Sequence, residues 1–572
     1  MKEEKMVNLK SRYQSNLKYW LICIIGFISI LAMIVVVGFY IAKPYLDNFV
    51  RQEIARRAIK AETSEVSILG KVNLTNVTLP TPTGTSLKIG AISARPPLSF
   101  IPGTFTFYNV DLKYTDKHNN IRVKIPRISL NSVFLKEKDN TITSHLLQSI
   151  MRIETSSIIA PNIQLFADNP NELIEKFEIK DFQLSDFKNG HIRSVGIKNM
   201  DLKMSIIDSN KQVYMVTKSD AIEAHDIDIN HAYAILMRKG NSVTQVKNIT
   251  GSISLKNLMT DIFKGKEKNA YLAIGAFKTS GFKIKPFNQT PQKLFNAYLN
   301  VREQNNPIAG KKALHDMLTN KFSNITLDDA EVRNLVIDVP QLKETLESFQ
   351  FKQSLWKQPI PKKLLISFNN LSILPKKMNE KDLEFLKNLN FERFDLSGKL
   401  DISYDEKKHI LSLNSMSLNI KNVGSGEISA KVIDVDEKLF SGQKNIMISA
   451  SQDLGINEID IKYRDAGFID KIFSYLAQNL NDSKHNLRKE LYDDFYLMIT
   501  QTPKILLKNH AEAEKISKSL DEFAKNPQTL IVKIKAKDNK GLTMVDLESA
   551  LQNDLSKALS KIDLTIKNEA SP

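Results

Sequence analysis

Short runs in which apolar and polar residues alternate recur along most of this chain and dictate what it can build. Val72-Asn-Leu74, Val77-Thr-Leu79, Leu87-Lys-Ile89, Phe105-Thr-Phe107, Val110-Asp-Leu112, Val123-Lys-Ile125 and Ile128-Ser-Leu130 all keep period two. Successive side chains of a strand point to opposite faces, so each run has one apolar and one wet face. Pro80, Gly84, Gly90, Pro96-Pro97, Pro102-Gly103 and Asn119-Asn120 punctuate the runs, as turns do. The pattern predicts a succession of short antiparallel strands.

A looser theme rides on the alternation: two or three alternating residues, an Asn, then alternation again. It appears as VNLTNVTL (72–79), FTFYNVDL (105–112), VGIKNMDL (195–202), LISFNNLSIL (365–374) and LSLNSMSLNIKNV (411–423). Asn is a poor strand residue but tolerates left-handed backbone, so each motif predicts a bulge or bend. Recurring bulges would curve a sheet in one sense. The irregular spacing leaves two readings open, true repetition or chance in a chain rich in Asn and Lys.

One segment departs from this pattern. Tyr19 to Ala42 is 24 residues without a charge, which as a helix would span about 36 Å, enough to cross a bilayer core. It is too long for a cleaved signal peptide, and Tyr40 is too large for a cleavage site at Ala42. An uncleaved signal anchor is the expectation. Lys2, Lys5, Lys10, Arg12 and Lys18 precede it, and Lys43, Arg51, Arg56, Arg57 and Lys60 follow, so the flanking charges balance. Long domains translocate largely regardless of charge, which puts residues 1–18 in the cytoplasm and the body outside. Residues 43–62 carry a helical stripe of Leu46, Val50, Ile54 and Ala58 opposite a basic side. The stripe reads as a membrane-surface helix, a cap on the next sheet or a simple connector.

Beyond it the pattern divides the body into a β-rich region (63–285), mixed helix and strand (286–395), a second β-rich region (396–465), a helical region (466–526) and a strand-helix-strand end (527–572). Helices are predicted over Pro291–Phe322, Asn379–Phe391 and Gly467–Lys525, with Pro503 dividing the last. The expected fold class is α+β and mostly antiparallel β. A single N-terminal transmembrane helix leads into an elongated, curved, repeat-like sheet with helical insertions and a helix-rich C-terminal part.

Catalytic motifs are missing: the sequence has no Gly-x-Ser-x-Gly, no phosphate-binding loop and no His-Glu-x-x-His. Its one Cys, Cys23, excludes disulfides and cysteine zinc clusters. In a strand, His225 and His231 would share a face about 20 Å apart, too far for one metal. Asp465, with Arg464 and Asp470, marks a strand-to-helix junction, Asp465 as N-cap. The formal charge of +16 spreads thinly over short lysine pairs, without a nucleic-acid stripe or module. No enzyme, cofactor, metal or nucleic-acid partner is expected; an anchored hydrolase with a site assembled from distant residues is the remaining alternative. Arg51, Arg56, Arg57 and Lys60, and the alternating Lys533, Lys535 and Lys537, are candidates for anionic headgroups or plain solvated faces.

The N-terminal quarter resembles bacterial AsmA-like envelope proteins. The resemblance rests on the anchor and short helix leading into GKVNLTNVTLP (70–80), LKIGAISARP (87–96) and GTFTFYNVDL (103–112). Trp20 and Trp356 are the only Trp residues, so the family's Gly-and-Asn-Trp feature is not evident. The resemblance implies a long curved sheet with an apolar inner groove, inner-membrane anchoring, a periplasmic body and non-enzymatic work in envelope lipid homeostasis. Val72, Leu74, Val77, Leu79, Phe105, Phe107, Val110 and Leu112 would then line a groove for phospholipid acyl chains. Alternation alone equally allows these residues to form a sealed core. The alternative function is an anchored envelope scaffold binding a protein partner.

Overall fold

A computed structural model describes residues 43–45, 47–56, 58–67, 70–81, 84–97, 101–115, 120–136, 152–169, 172–208, 211–232, 247–284, 325–357, 360–376, 386–387, 391–441, 444–479, 487–507, 511–552 and 555–569. The chain divides into two compact units, Met1–Asp208 and Ser209–Pro572.

In the first unit, helix α1 (47–56) precedes an antiparallel meander. Its strands are β1 (Thr63–Val66), β2 (Val72–Leu79), β3 (Thr85–Arg95), β4 (Gly103–Thr115), β5 (Asn120–Leu135), β6 (Ile153–Asn169), β7 (Glu172–Lys188) and β8 (His191–Asp208). Each strand pairs with the next. The period-two segments thus become the strands they predict, and the later ones run to 18 residues, or about 59 Å.

The second unit continues the same logic through β9 (Lys211–Asp228), β10 (Lys247–Lys264), β11 (Glu267–Ile284), β12 (Ile325–Thr326), β13 (Asp329–Asp338), β14 (Leu342–Lys357), β15 (Ile360–Pro375), β16 (Phe394–Asp405), β17 (Ile410–Ile420), β18 (Gly424–Ile433) and β19 (Gly455–Asp465). Beyond β19, β20 (Thr529–Ala536) and β21 (Leu542–Thr543) both pair with it, and β22 (Ile562–Glu569) pairs with β20. Helices gather at this end: α2 (Lys444–Ser451), α3 (Phe468–Asn479), α4 (Leu487–Leu506), α5 (Ala511–Lys525), α6 (Met544–Gln552) and α7 (Leu555–Ser560). Leu507, Ala513 and Ile516 are buried against Leu520, Leu559, Leu564 and Ile566, so helices cover one face of β22. Among the described residues the edges stay open: β1 pairs with β2 and β22 with β20, and neither pairs back to an opposite edge.

Most of the Asn motifs have a common structural cause. In four of the five motifs Asn76, Asn109, Asn199 and Asn370 lie mid-strand with φ between +46° and +54°, as do Asn257 and Asn334, which the motif search did not single out; Asn414 and Asn419 of the fifth motif are not left-handed. A left-handed residue costs most side chains about 1–2 kcal/mol, and Asn visits the region more readily. At Asn199 and Asn370 the register shifts nearby, as expected of a bulge. At Asn76 and Asn109 it does not. Thr75 pairs Ala91 and Val77 pairs Ile89, leaving Asn76 opposite Gly90 with no inserted residue. Gly90 in turn faces Asn109 across the next pair. A Cβ on Gly90 would lie 3.0 Å from the Asn109 Cβ, so a side chain there would force its neighbour to shift.

The expected bulge is therefore, at these two positions, a reversal of pleat phase. Apolar residues step by three across it, as in Leu74 to Val77, Ile89 to Ile92 and Phe107 to Val110, yet they stay on one face. Leu74, Val77 and Ile89 form a single buried cluster with Ile92, Phe107 and Val110 packed against it. The line of left-handed and glycine residues is a crease, and it keeps the apolar face continuous.

Several expectations need correction. The expected fold class placed a transmembrane helix before the sheet. That span, residues 19–42, lies outside the described residues, and among the described residues no helix is long and apolar enough to cross a membrane. The longest, α4, carries Arg488, Lys489, Glu490, Asp493, Asp494 and Lys504 in its 20 residues. Most strands pair with the next in sequence, but β11 pairs with both β12 and β13, β21 with β19, and β22 with β20. The helix predicted over 291–322 lies outside the described residues, and within 379–391 only a turn at 386–387 is described as helical. Pro503 does not split the helical block but lies inside the last turns of α4. Ala58, expected on the α1 stripe, has φ +54° and follows the helix.

Candidate functional site

The eight groove candidates share one face of the first unit, and the strand register extends them into rows across it. One row runs Leu79, Leu87, Leu112, Val123, Leu165, Phe177 and Leu202, each directly opposite the next. A second runs Val72, Ala94, Phe105, Leu130, Ile158, Leu184 and Val195. Between them Val77, Ile89, Val110 and Ile125 pair on one side of the crease, and Leu74, Ile92, Phe107 and Ile128 on the other. At about 4.8 Å per strand, seven strands give an apolar band about 29 Å wide.

The band has two regimes. At its β2–β4 end Ile54 of α1, with Ile59 and Ala61, packs on Leu74, Val77 and Ile89, and Val77 is 1 % exposed. Here α1 is a cap, and Val72, Leu74, Val77, Leu79, Phe107 and Val110 belong to a packed core. Phe105, stacked on Phe107 with centroids 6.4 Å apart, and Leu112 are half-buried. From β5 onward Val123, Ile125, Leu130, Leu165, Phe177, Val195 and Leu202 are half-buried. Leu184, in the second row, is buried. Sequence reasoning missed this β5–β8 part. The signal was available as the three-residue step between alternating runs.

The opposite face is charged. Arg122 Nε and Nη2 donate to the two carboxylate oxygens of Asp111 at 2.8 and 2.6 Å. That hydrogen bonding, with the nearby charges of Arg122, Lys113 and Lys124, holds Asp111 below the usual carboxylate range against the effect of burial. Lys176 bridges Glu178 and Asp201 at 2.8 and 2.9 Å. Its hydrogen bond, helped by Gln164 and Asn162, pulls Glu178 from 4.5 to about 2. A depressed carboxylate stabilises the fold above its unfolded value, and this contribution is lost as pH falls through the folded one. Thermal melts should therefore show stability falling from about pH 4.5 toward about pH 2. Glu178→Gln should flatten part of that slope, by a modest amount because solvent screens the pair. An unchanged slope would rule out the pairing.

The basic candidates are divided among several settings. Arg51 and Lys60 are exposed, Arg56 pairs with Glu53 at 3.0 Å, and Arg57 lies outside the described residues. Lys533 and Lys535 share an exposed face of β20, but Lys533 faces Asp460 and Lys535 faces both Glu458 and Asp563. Lys537, just past the strand, donates to the Ser560 carbonyl at 3.2 Å. These lysines belong to a ladder of alternating charge. β9 ends at Asp228, so His225 and His231 do not share a strand. His231 is 6 % exposed, its N–H donates to Asp228 Oδ1 at 2.8 Å, and Nε2 lies 3.2 Å from the Ile284 carbonyl. Among the described residues no group of ligands could hold a metal ion. Asp465 ends β19 rather than sitting at the N-cap position, but its carboxylate accepts from Gly467 N at 2.7 Å and from Ile469 N in the first turn of α3 at 3.4 Å. Asp470 accepts instead from Arg488.

A search among curated proteins finds no match to this chain. The C-terminal segment, residues 417–569, from the end of β17 through β22, is similar to a family described only as "Uncharacterized protein".

Proposed function

We propose that the chain acts without catalysis on membrane lipid, holding acyl chains against the apolar band of its first unit, as the AsmA-like resemblance implies. The observation that carries this reading is the half-buried band over β5–β8, where seven-strand apolar rows continue past the cap formed by α1. Each methylene moved from water onto such a surface gains about 0.8 kcal/mol, before the cost of ordering the chain. Binding of this kind needs a continuous apolar path and no reactive group. The crease supports the continuity by keeping both halves of β2, β3 and β4 in phase.

The test is photocrosslinking of the full chain with a phosphatidylcholine that carries a diazirine near the acyl terminus. Crosslinks are expected on Leu165, Phe177 and Leu202, and Leu165→Gln with Phe177→Gln should lower their yield at least tenfold in a protein that still melts normally. Crosslinks on Gln164 and Glu178, which point to the other face, would sink the reading, as would none at all. A second reading, a scaffold for a protein partner, draws on the exposed Leu497, Met498, Ile505 and Leu506 of α4.

A further inference from the structure

The second unit has its own crease, with a polar side of distinct chemistry. Asn257 Nδ2 donates to Asp220 Oδ2 at 2.7 Å, and Asn370 Nδ2 donates to Glu347 Oε2. The Asn370 N–H donates to Ser397 Oγ at 3.0 Å. Register then carries the line onward, with Ser397 opposite Asn419, Asn419 opposite Ser425 and Ser425 opposite Arg464. A cleft of about 810 Å³ lies along this seam. A second, of about 870 Å³, shares Arg393, Asp395, Lys421 and Asn422 with it.

Hydrogen-bonding capacity in the cleft is unevenly used. Its carboxylates are occupied. Glu347 accepts from Asn370, Asp395 accepts from Arg393 Nε at 3.0 Å, and Asp465 accepts from Tyr463 Oη and from the start of α3. The Lys421 ammonium and Arg464 guanidinium are exposed, and among the described residues neither donates a hydrogen bond to another side chain. Arg464 and Asn419 stand two strands apart, about 10 Å between Cα atoms, with Ser425 between them and Lys421 two residues beyond Asn419. Two long cationic side chains can therefore converge over a floor of one amide and one hydroxyl. Spare charged donors in a polar cleft favour an oxygen-rich anion, which accepts several charge-assisted hydrogen bonds at once.

We propose that this cleft binds a phosphate ester, with Lys421 and Arg464 as its charged contacts and Asn419 and Ser425 as neutral ones. The site lies in the second unit and stands independently of the acyl-chain reading. The same chemistry is presented by a free phosphomonoester and by a phospholipid headgroup.

The test is calorimetric titration of the full chain with glycerol 3-phosphate, and separately with dihexanoyl phosphatidylglycerol below its micelle concentration. Saturable binding is expected, weakened at least tenfold in Lys421→Gln/Arg464→Gln and left within twofold by Lys462→Gln, an exposed lysine on β19 outside the cleft. A melting temperature equal to that of the parent shows that the double variant is folded. Tighter binding of the lipid, displacing glycerol 3-phosphate, identifies a headgroup site; preference for glycerol 3-phosphate identifies a soluble ester. Absence of saturable binding to both probes overturns the proposal, and so does equal weakening by Lys462→Gln, which would mean diffuse attraction only.

Discussion

Gly455→Ala should destabilise the second unit by about 3 kcal/mol or more, among the largest effects of any single methyl group in the chain. Gly455 opens β19, between Ile433 on β18 and Thr543 on β21. A Cβ there would overlap the Lys540 carbonyl oxygen and lie 3.1 Å from Ile433 Cγ1. The obstacle is backbone, so no side-chain rotation relieves it. The Lys540 turn cannot simply retreat, because the Lys540 N–H donates to Asp538 Oδ1 at 2.9 Å and Gly541 is held at φ +71°. Relief requires the short β21 to leave β19, which would expose Leu542, 7 % exposed in the fold. Gly426→Ala on neighbouring β18 is the control, since a Cβ there meets nothing within 4 Å. It should change stability by less than about 0.5 kcal/mol. Urea melts followed by circular dichroism would decide the matter, and a Gly455→Ala protein as stable as the Gly426→Ala control would refute the packing argument.

What the sequence made legible follows from how local each signal is. Strands from Val72 to Leu130 could be read because alternation and turn residues act within a few positions. The strand-to-helix junction at Asp465 could be read for the same reason. The two regimes of the apolar band could not. Whether Leu74 is sealed and Val123 half-open depends on where Ile54 of α1 packs, a tertiary contact that leaves no trace in period two. The charge ladder around the β20 lysines was not legible either, because their neighbours Glu458, Asp460 and Asp563 come from strands distant in sequence, and only register shows the charges alternating. The phosphate-ester cleft was hidden likewise: Asn419, Ser425 and Arg464 become a row only once three strands are paired. Its seam was nevertheless half visible, since Asn370 and the 411–423 segment both carried the Asn theme.

Asn76→Val should cost about 2–3 kcal/mol, whereas Asn76→Gly should stay within about 1 kcal/mol of the parent. Valine is the better strand residue by propensity, so an ordinary strand position would predict the reverse order. At φ +46° the β-branched side chain meets the left-handed penalty, and the hydrogen bond from Asn76 Nδ2 to Glu62 is lost as well. Glycine also loses that bond but occupies the left-handed region freely. The alternative for the valine variant is to relax into extended backbone. That restores strict alternation after Thr75 and turns Val77, 1 % exposed, and Leu79 toward the charged face, and a reversed strand no longer matches Ile89 and Leu87 on β3. Both routes lose stability, so the crease is enforced by geometry rather than by sequence preference alone. The same substitution pair at Asn334, which faces Gly275 with its Cβ 3.0 Å from where a glycine Cβ would sit, should give the same order. If valine proved as stable as asparagine at both positions, left-handed backbone would not be what keeps the apolar rows on one face. The continuous apolar band of the first unit, on which the acyl-chain proposal rests, would then need another cause.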